Sequence, residues 1–249
     1  MPILAAAFAL TALLYAAVGF GGGSTYSALL ALSGFDYRLL PVLALACNII
    51  VVAGSTVRFA RARITPWRGA GLLTAIAAPA AFLGGLTPIK ESAFLALLGT
   101  SLVMTGITLV LPKTAEGEGR PTTIARLMPL IAAPIGYLAG LVGIGGGIFL
   151  APLLHLTRWN NARAVAATAA LFILVNSLFG LAGQLLKNGP DRMGEAVSYG
   201  LPLILAVAVG GQVGSLLAVK FLPQNAIRWL TAALTIWVGG RLLANVWLA

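Results

Sequence analysis

Apolar residues run along this chain in long unbroken blocks, and polar residues gather where the blocks stop. Eight blocks can be traced: 3–33, 38–57, 69–87, 91–111, 127–157, 163–186, 196–219 and 226–247. Most approach or exceed the roughly 20 residues that a helix needs to cross a hydrocarbon core. Stretches such as LLTAIAAPAAFLGGL (72–86) do not alternate apolar with polar positions, as a transmembrane β-barrel strand of about ten residues would. The pattern predicts an all-α, polytopic membrane helix bundle of about eight apolar segments.

Two of the blocks are broken from within. The first is interrupted at Gly19 to Gly23 and the fifth at Gly143 to Gly147. Each glycine inside a helix costs about 1 kcal/mol against alanine, so helix is given up twice at matching places. Shifting the sequence by 124 residues lays VGFGGG (18–23) over VGIGGG (142–147), with five of six positions identical. Near the same offset Pro79 falls opposite Pro202, and Gly84 with Gly85 opposite Gly210 with Gly211. The plainly polar stretch Pro112 to Arg126 separates the two copies. The expected organisation is a first membrane repeat at 1–111, a cytoplasmic linker at 112–126 and a second membrane repeat at 127–249. Duplication of this kind marks secondary transporters, whose sites lie where the halves meet.

Charge adds orientation. Of 16 Lys and Arg, ten lie inside if every block crosses; eleven do if the two glycine-broken blocks enter and return on one side, which inverts the halves. The pieces flanking each glycine cluster are short for one straight crossing, which favours the inverted, pseudo-symmetric arrangement. In it Arg58, Arg61, Arg63, Arg68 and Arg158 face the cytoplasm, and Arg38, Lys90 and Lys187 face out. The chain is 59% hydrophobic and 9% charged, and its net +10 is spread over segment ends. A nucleic-acid reader would gather that charge on one solvated face, so no nucleic-acid partner is expected. The N-terminus MPILAAAFAL has no basic stretch of a cleaved signal and reads as the start of the first helix.

The candidate chemistry is sparse. Each glycine cluster is followed by a helix start, where unpaired backbone N–H groups and about half a positive charge favour an anion. The substrate-binding candidates are therefore Gly21, Gly22, Gly23, Ser24 and Thr25 in one half and Gly145, Gly146, Gly147 and Ile148 in the other. Among the polar residues inside apolar blocks, such as Ser55, Thr56, Thr168, Ser177 and Gln184, Asn48 and Asn176 stand out, each in the block after a glycine break. Amides donate to an oxyanion without adding negative charge. The glycine pairs 84/85 and 210/211 read as packing positions. All six acidic residues fall in loops or at block ends, which argues against a metal-cation substrate. His155, the single histidine, cannot build a metal site alone, and neither a metal nor a cofactor is expected. Cys47 reads as a small buried side chain and Trp67, Trp159 and Trp229 as interface anchors. An intramembrane hydrolase built on Ser24 and His155 is the rival enzyme reading, set aside because glycines repeat while serine and histidine do not.

At VGFGGGSTYSALLAL and VGIGGGIFLAPLL the sequence resembles the sulfite exporter TauE/SafE family, over nearly its whole length. That resemblance implies transport of sulfite, thiosulfate, sulfoacetate or a related sulfur-containing anion, usually outward, across the cytoplasmic (inner) membrane of a bacterium. It implies the motif residues Gly19, Gly21, Gly22, Gly23, Gly143, Gly145, Gly146 and Gly147. Pro152 in the second motif stands where the first has Ala28, so the halves are not expected to contribute equally. The expected partners are a small anionic substrate and membrane lipid, with a homodimer compatible with both. An anion channel of the same architecture is the runner-up.

Overall fold

A computed structural model describes residues 1–18, 21–110, 125, 127–217 and 224–248. Gly19 and most of the linker, with Lys113, Glu116, Glu118, Arg120 and Arg126, lie outside the described residues, as does Lys220. The helices are α1 (Pro2–Val18), α2 (Gly23–Leu32), α3 (Leu39–Arg61), α4 (Trp67–Leu86), α5 (Glu91–Val110), α6 (Met128–Val142), α7 (Gly147–Leu156), α8 (Ala162–Leu217) and α9 (Gln224–Leu248). Among the described residues every long regular element is helical, and five stretches are long and apolar enough to cross a membrane: α3, α4, α5 and the two arms of α8, Ala162–Gly189 and Ala196–Gly214. The helices Met128–Val142 and Gly147–Leu156 are shorter.

Local sequence sets the boundaries. Gly34 takes φ +72° in the turn before α3, and the Arg38 N–H donates to Asp36 Oδ1 at 2.9 Å. Arg58 and Arg61 occupy the last turn of α3, where cations complement the helix dipole. Asn161 Oδ1 accepts the Ala164 N–H at 2.9 Å and caps α8, as a short polar side chain does at an N-terminus. The sequence KNGPDRMG reads as a break between two blocks. The break falls at Gly189 (φ 73°, ψ 175°), whose non-helical backbone divides α8 into its two helical arms. The proline that follows is tolerated because the first turn of a helix needs no N–H from it.

Water does not organise this packing. Ile3, Leu130, Leu186 and Val209 are exposed at 86%, 73%, 69% and 64%, which suits lipid-facing positions. Helices instead meet through small residues, which let backbones approach without a hydrophobic drive. A methyl group on Gly136 or Gly140 of α6 would fall on the Ala77 or Ala81 carbonyl of α4. One on Gly84 would strike the Tyr137 carbonyl, and one on Gly85 the Gly180 carbonyl of α8. On the other side of the bundle, Gly210 and Gly214 press against Ala9 and Leu13 of α1 in the same way, while Gly211 is less crowded. Gln184 Nε2 donates to the Gly140 carbonyl at 2.9 Å and locks α8 to α6. Gly140→Val should lower stability by about 1–3 kcal/mol through overpacking. Thermal unfolding in detergent would show it as a lower midpoint, with Gly240→Ala, which meets nothing within 4 Å, unchanged.

α7 returns along α6. Leu150 and Leu154 share a core cluster with Met128, Ala132 and Ile135. Trp159, beyond the end of α7, sits where a methyl on Gly69 would fall, 2.5 Å from its ring, so it is partly covered by protein.

Candidate functional site

Both glycine clusters end one helix and start another. α2 opens at Gly23 with Gly22 as its N-cap (φ −91°, ψ 17°), and α7 opens at Gly147 with Gly146 as its N-cap (φ 78°, ψ −15°). No side chain caps either terminus. The two loops differ in conformation: Gly143, Gly145 and Gly146 all have positive φ (83°, 79° and 78°), whereas Gly21, Gly22 and Gly23 do not. An L-residue in that left-handed region costs about 1–2 kcal/mol, so the second break demands glycine for its backbone and the first for its close contacts.

The breaks abut one another around a single side chain. Asn48, on α3 and fully buried, donates from Nδ2 to the Ile144 carbonyl at 3.2 Å. A methyl on Gly21 would lie 2.6 Å from Asn48 Oδ1, and one on Gly145 would lie 2.8 Å from Asn48 Nδ2. A methyl on Gly23 would fall on Asn48 Nδ2 and lie 2.8 Å from the Ile144 carbonyl. Ile173 of α8 closes the other side, crowding Gly21, Gly145 and Gly147. Two helix starts 124 residues apart in sequence thus share one amide.

Asn48 Oδ1 and Ser177 Oγ are unsatisfied polar atoms at this junction. Among the described residues Ser24 Oγ, Ser27 Oγ, Asn48 Oδ1, Ser177 Oγ and both amide atoms of Asn176 are buried without a hydrogen-bond partner. Each such group costs about 1–3 kcal/mol if it stays unpaired. Ser177 Oγ would be 3.0 Å from a methyl on Gly145, which puts its hydroxyl at the second break. Asn176, one residue earlier, is fully buried. The structure therefore brings Gly21, Gly23, Asn48, Gly145 and Gly147 together and adds Ser177 and Ile173. Thr25 is otherwise engaged, since its hydroxyl shares a 3.0 Å hydrogen bond with Tyr15 and ties α2 to α1. Gly22 packs on Tyr26 and Thr11, and Gly146 on Phe172 and Ala139. Ile148 packs its side chain against the core, leaving only its backbone to offer.

Chemically the junction offers backbone N–H groups, an amide and hydroxyls. Asp36 and Glu91 are both exposed. Among the described residues no three His, Cys, Asp or Glu side chains come together. Ser24 is buried at the start of α2, whereas His155 is exposed near the far end of α7.

The sulfite exporter TauE/SafE family profile matches residues 3–242. A probable membrane transporter protein of Sinorhizobium fredii is 35% identical over 246 residues, covering 96% of this chain and 97% of that one. Another probable membrane transporter, of Methanocaldococcus jannaschii, is 25% identical over 88% of this chain and 85% of its own. A sulfite exporter TauE/SafE family protein of Arabidopsis thaliana is 34% identical, but over only 38% of this chain and 21% of that protein. No solved structure matches significantly.

Proposed function

Because this chain belongs to the sulfite exporter TauE/SafE family and is a multi-pass membrane transporter, we propose that it moves a small sulfur-containing anion, sulfite or a related oxyanion or organosulfonate, across the bacterial cytoplasmic membrane by alternating access. The observation that carries the reading is the junction at Asn48, where two uncapped helix starts meet beside buried donors. Helix N-termini attract anions through free N–H groups and the dipole. Glycine lets the anion approach the backbone closely.

The same reading makes the chain two inverted repeats, with the α1–α2 and α6–α7 hairpins entering and returning on one side. Several contacts support it. Arg38 and Lys187 line one cavity, although a bundle in which all eight blocks cross would place them on opposite faces. The contact of Trp159 with Gly69 likewise joins the loop after α7 to the start of α4, which this bundle would place on opposite faces. The pairing of α6 with α4 is mirrored by that of α1 with the second arm of α8. Such halves can rock or slide about a fixed central site.

Counterflow separates a carrier from a channel of the same shape. Proteoliposomes loaded with unlabelled sulfite should accumulate labelled sulfite transiently above equilibrium and saturate with external concentration. Flux that rises linearly without overshoot would make the protein a channel. No flux of any sulfur anion from folded protein would sink the reading.

A further inference from the structure

A cavity of about 250 Å³ opens where α3 begins, where α8 bends and where α4 hands over to α5. Two cations line it, Arg38 and Lys187, which are far apart in sequence and brought together only by the fold. Arg38 is exposed, Lys187 half-buried and Gln184, also in the wall, fully buried, so basic and polar groups descend in steps from the surface inward. Arg38 Nε donates to the Tyr37 hydroxyl at 3.0 Å. Lys187 Nζ reaches the Thr87 carbonyl only at 3.4 Å, long for a hydrogen bond. Asn188 Nδ2, a further donor in the wall, is buried without a partner among the described residues. Asp36 and Glu91 act on Arg38 electrostatically, but neither lines the cavity.

The inner wall of this cavity adjoins the second glycine break. Pro41 and Leu141 line the cavity, and the backbone of Pro41 presses against Gly143, the first residue of the second glycine break. α3 runs from here to Arg61 over 23 residues, about 34 Å at 1.5 Å per residue, so the cavity lies at the opposite end of the bundle from Arg58, Arg61 and Arg68. Those basic ends mark the cytoplasmic side, and the cavity therefore faces out.

We propose that this cavity is a second anion site, an outer vestibule in which Arg38 and Lys187 capture a hydrated oxyanion and pass it between the outer face and the junction at Asn48. The proposal rests on the anion-transport reading above. The volume suits it: at about 30 Å³ per water, the cavity accommodates an anion with part of its hydration shell, whereas the junction holds donors placed to replace that shell. Two cations around one volume hold a dianion more tightly than a monoanion, since both act on each charge. Residues at such a mouth set the concentration at which transport saturates more than its maximal rate.

The test compares sulfite flux in right-side-out and inside-out membrane vesicles for the wild type, Arg38→Gln and Lys187→Gln. With sulfite presented at the outer face, the half-saturating concentration should rise about threefold for the exposed Arg38 and about tenfold for the half-buried Lys187. Maximal influx should stay within about twofold, and presentation at the cytoplasmic face should leave the half-saturating concentration unchanged while maximal efflux falls by the same factor, as detailed balance requires of one reversible carrier. Wild-type flux with unaltered half-saturation at the outer face in both variants overturns the vestibule alone and leaves the two cations as partners of helix termini. An equal rise at both faces also overturns it, by placing their effect at the central junction. Vesicles in which the wild type carries no sulfur anion overturn the transport reading itself.

Discussion

Asn48→Asp should abolish anion transport while leaving the protein folded. The substitution keeps the shape of the side chain and exchanges the Nδ2 donor for an oxygen, beside Gly21, Gly23 and Gly145. A carboxylate about 4 Å from a bound anion opposes it by about 4 kcal/mol at an effective dielectric constant of 20, which corresponds to roughly a thousandfold in affinity. The lost hydrogen bond to the Ile144 carbonyl adds about 1 kcal/mol. Labelled sulfite uptake at a fixed low concentration should therefore fall by at least about a hundredfold, with a monodisperse elution profile retained. Asn48→Ala, which removes the donor without adding charge, should fall by only about tenfold. Similar losses in the two variants would remove charge from the explanation.

Gly145→Ala carries the second large effect. At φ +79° alanine costs about 1–2 kcal/mol in backbone energy, and its methyl would stand 2.8 Å from Asn48 Nδ2, 2.9 Å from Ile173 and 3.0 Å from Ser177 Oγ. It fills the space in which the anion is held to meet the backbone. Gly34→Ala is the matched control, because Gly34 has φ +72° and meets nothing within 4 Å. Both variants should lose a similar backbone increment of stability in a detergent melt. Only Gly145→Ala should also lose most of its flux, to about a tenth of wild type or less. Equal flux in the two would mean that the second break serves backbone geometry alone.

Much of this was legible from residue pattern because glycine triplets inside apolar blocks have few uses. The helix boundaries at Val18 and Gly23, and at Val142 and Gly147, follow from the cost of glycine in a helix. Asn48 could be singled out because a lone amide in an apolar block needs a partner. The choice between Asn176 and its neighbour Ser177 could not be made the same way. Adjacent residues on a helix point about 100° apart, and the rotation of α8 is fixed by Gly180 and Gly183 packing on α4, a contact that periodicity does not reveal. The division of α8 at Gly189 could be read directly, because a Gly-Pro pair in a polar stretch interrupts a helix. Arg38 and Lys187 each look like ordinary basic residues at block ends, and only the fold makes them neighbours of one cavity. The hydrogen bond between Thr25 and Tyr15 was equally hidden, because it depends on how α2 folds back on α1.

If the anion sits where the two glycine breaks meet, ligand-induced stabilisation will depend on Asn48 whether or not transport occurs. A ligand at 100 times its dissociation constant stabilises the folded state by about 2.7 kcal/mol. Thermal unfolding of detergent-solubilised wild type, Asn48→Asp and Arg38→Gln would be followed with sulfite, with chloride at matched ionic strength as the reference. The expected result is a sulfite-specific rise in midpoint for wild type, a rise kept at saturating sulfite in Arg38→Gln, and a much smaller one in Asn48→Asp, left by the outer cavity alone. An equal rise in wild type and Asn48→Asp would contradict it and place the bound anion away from the junction.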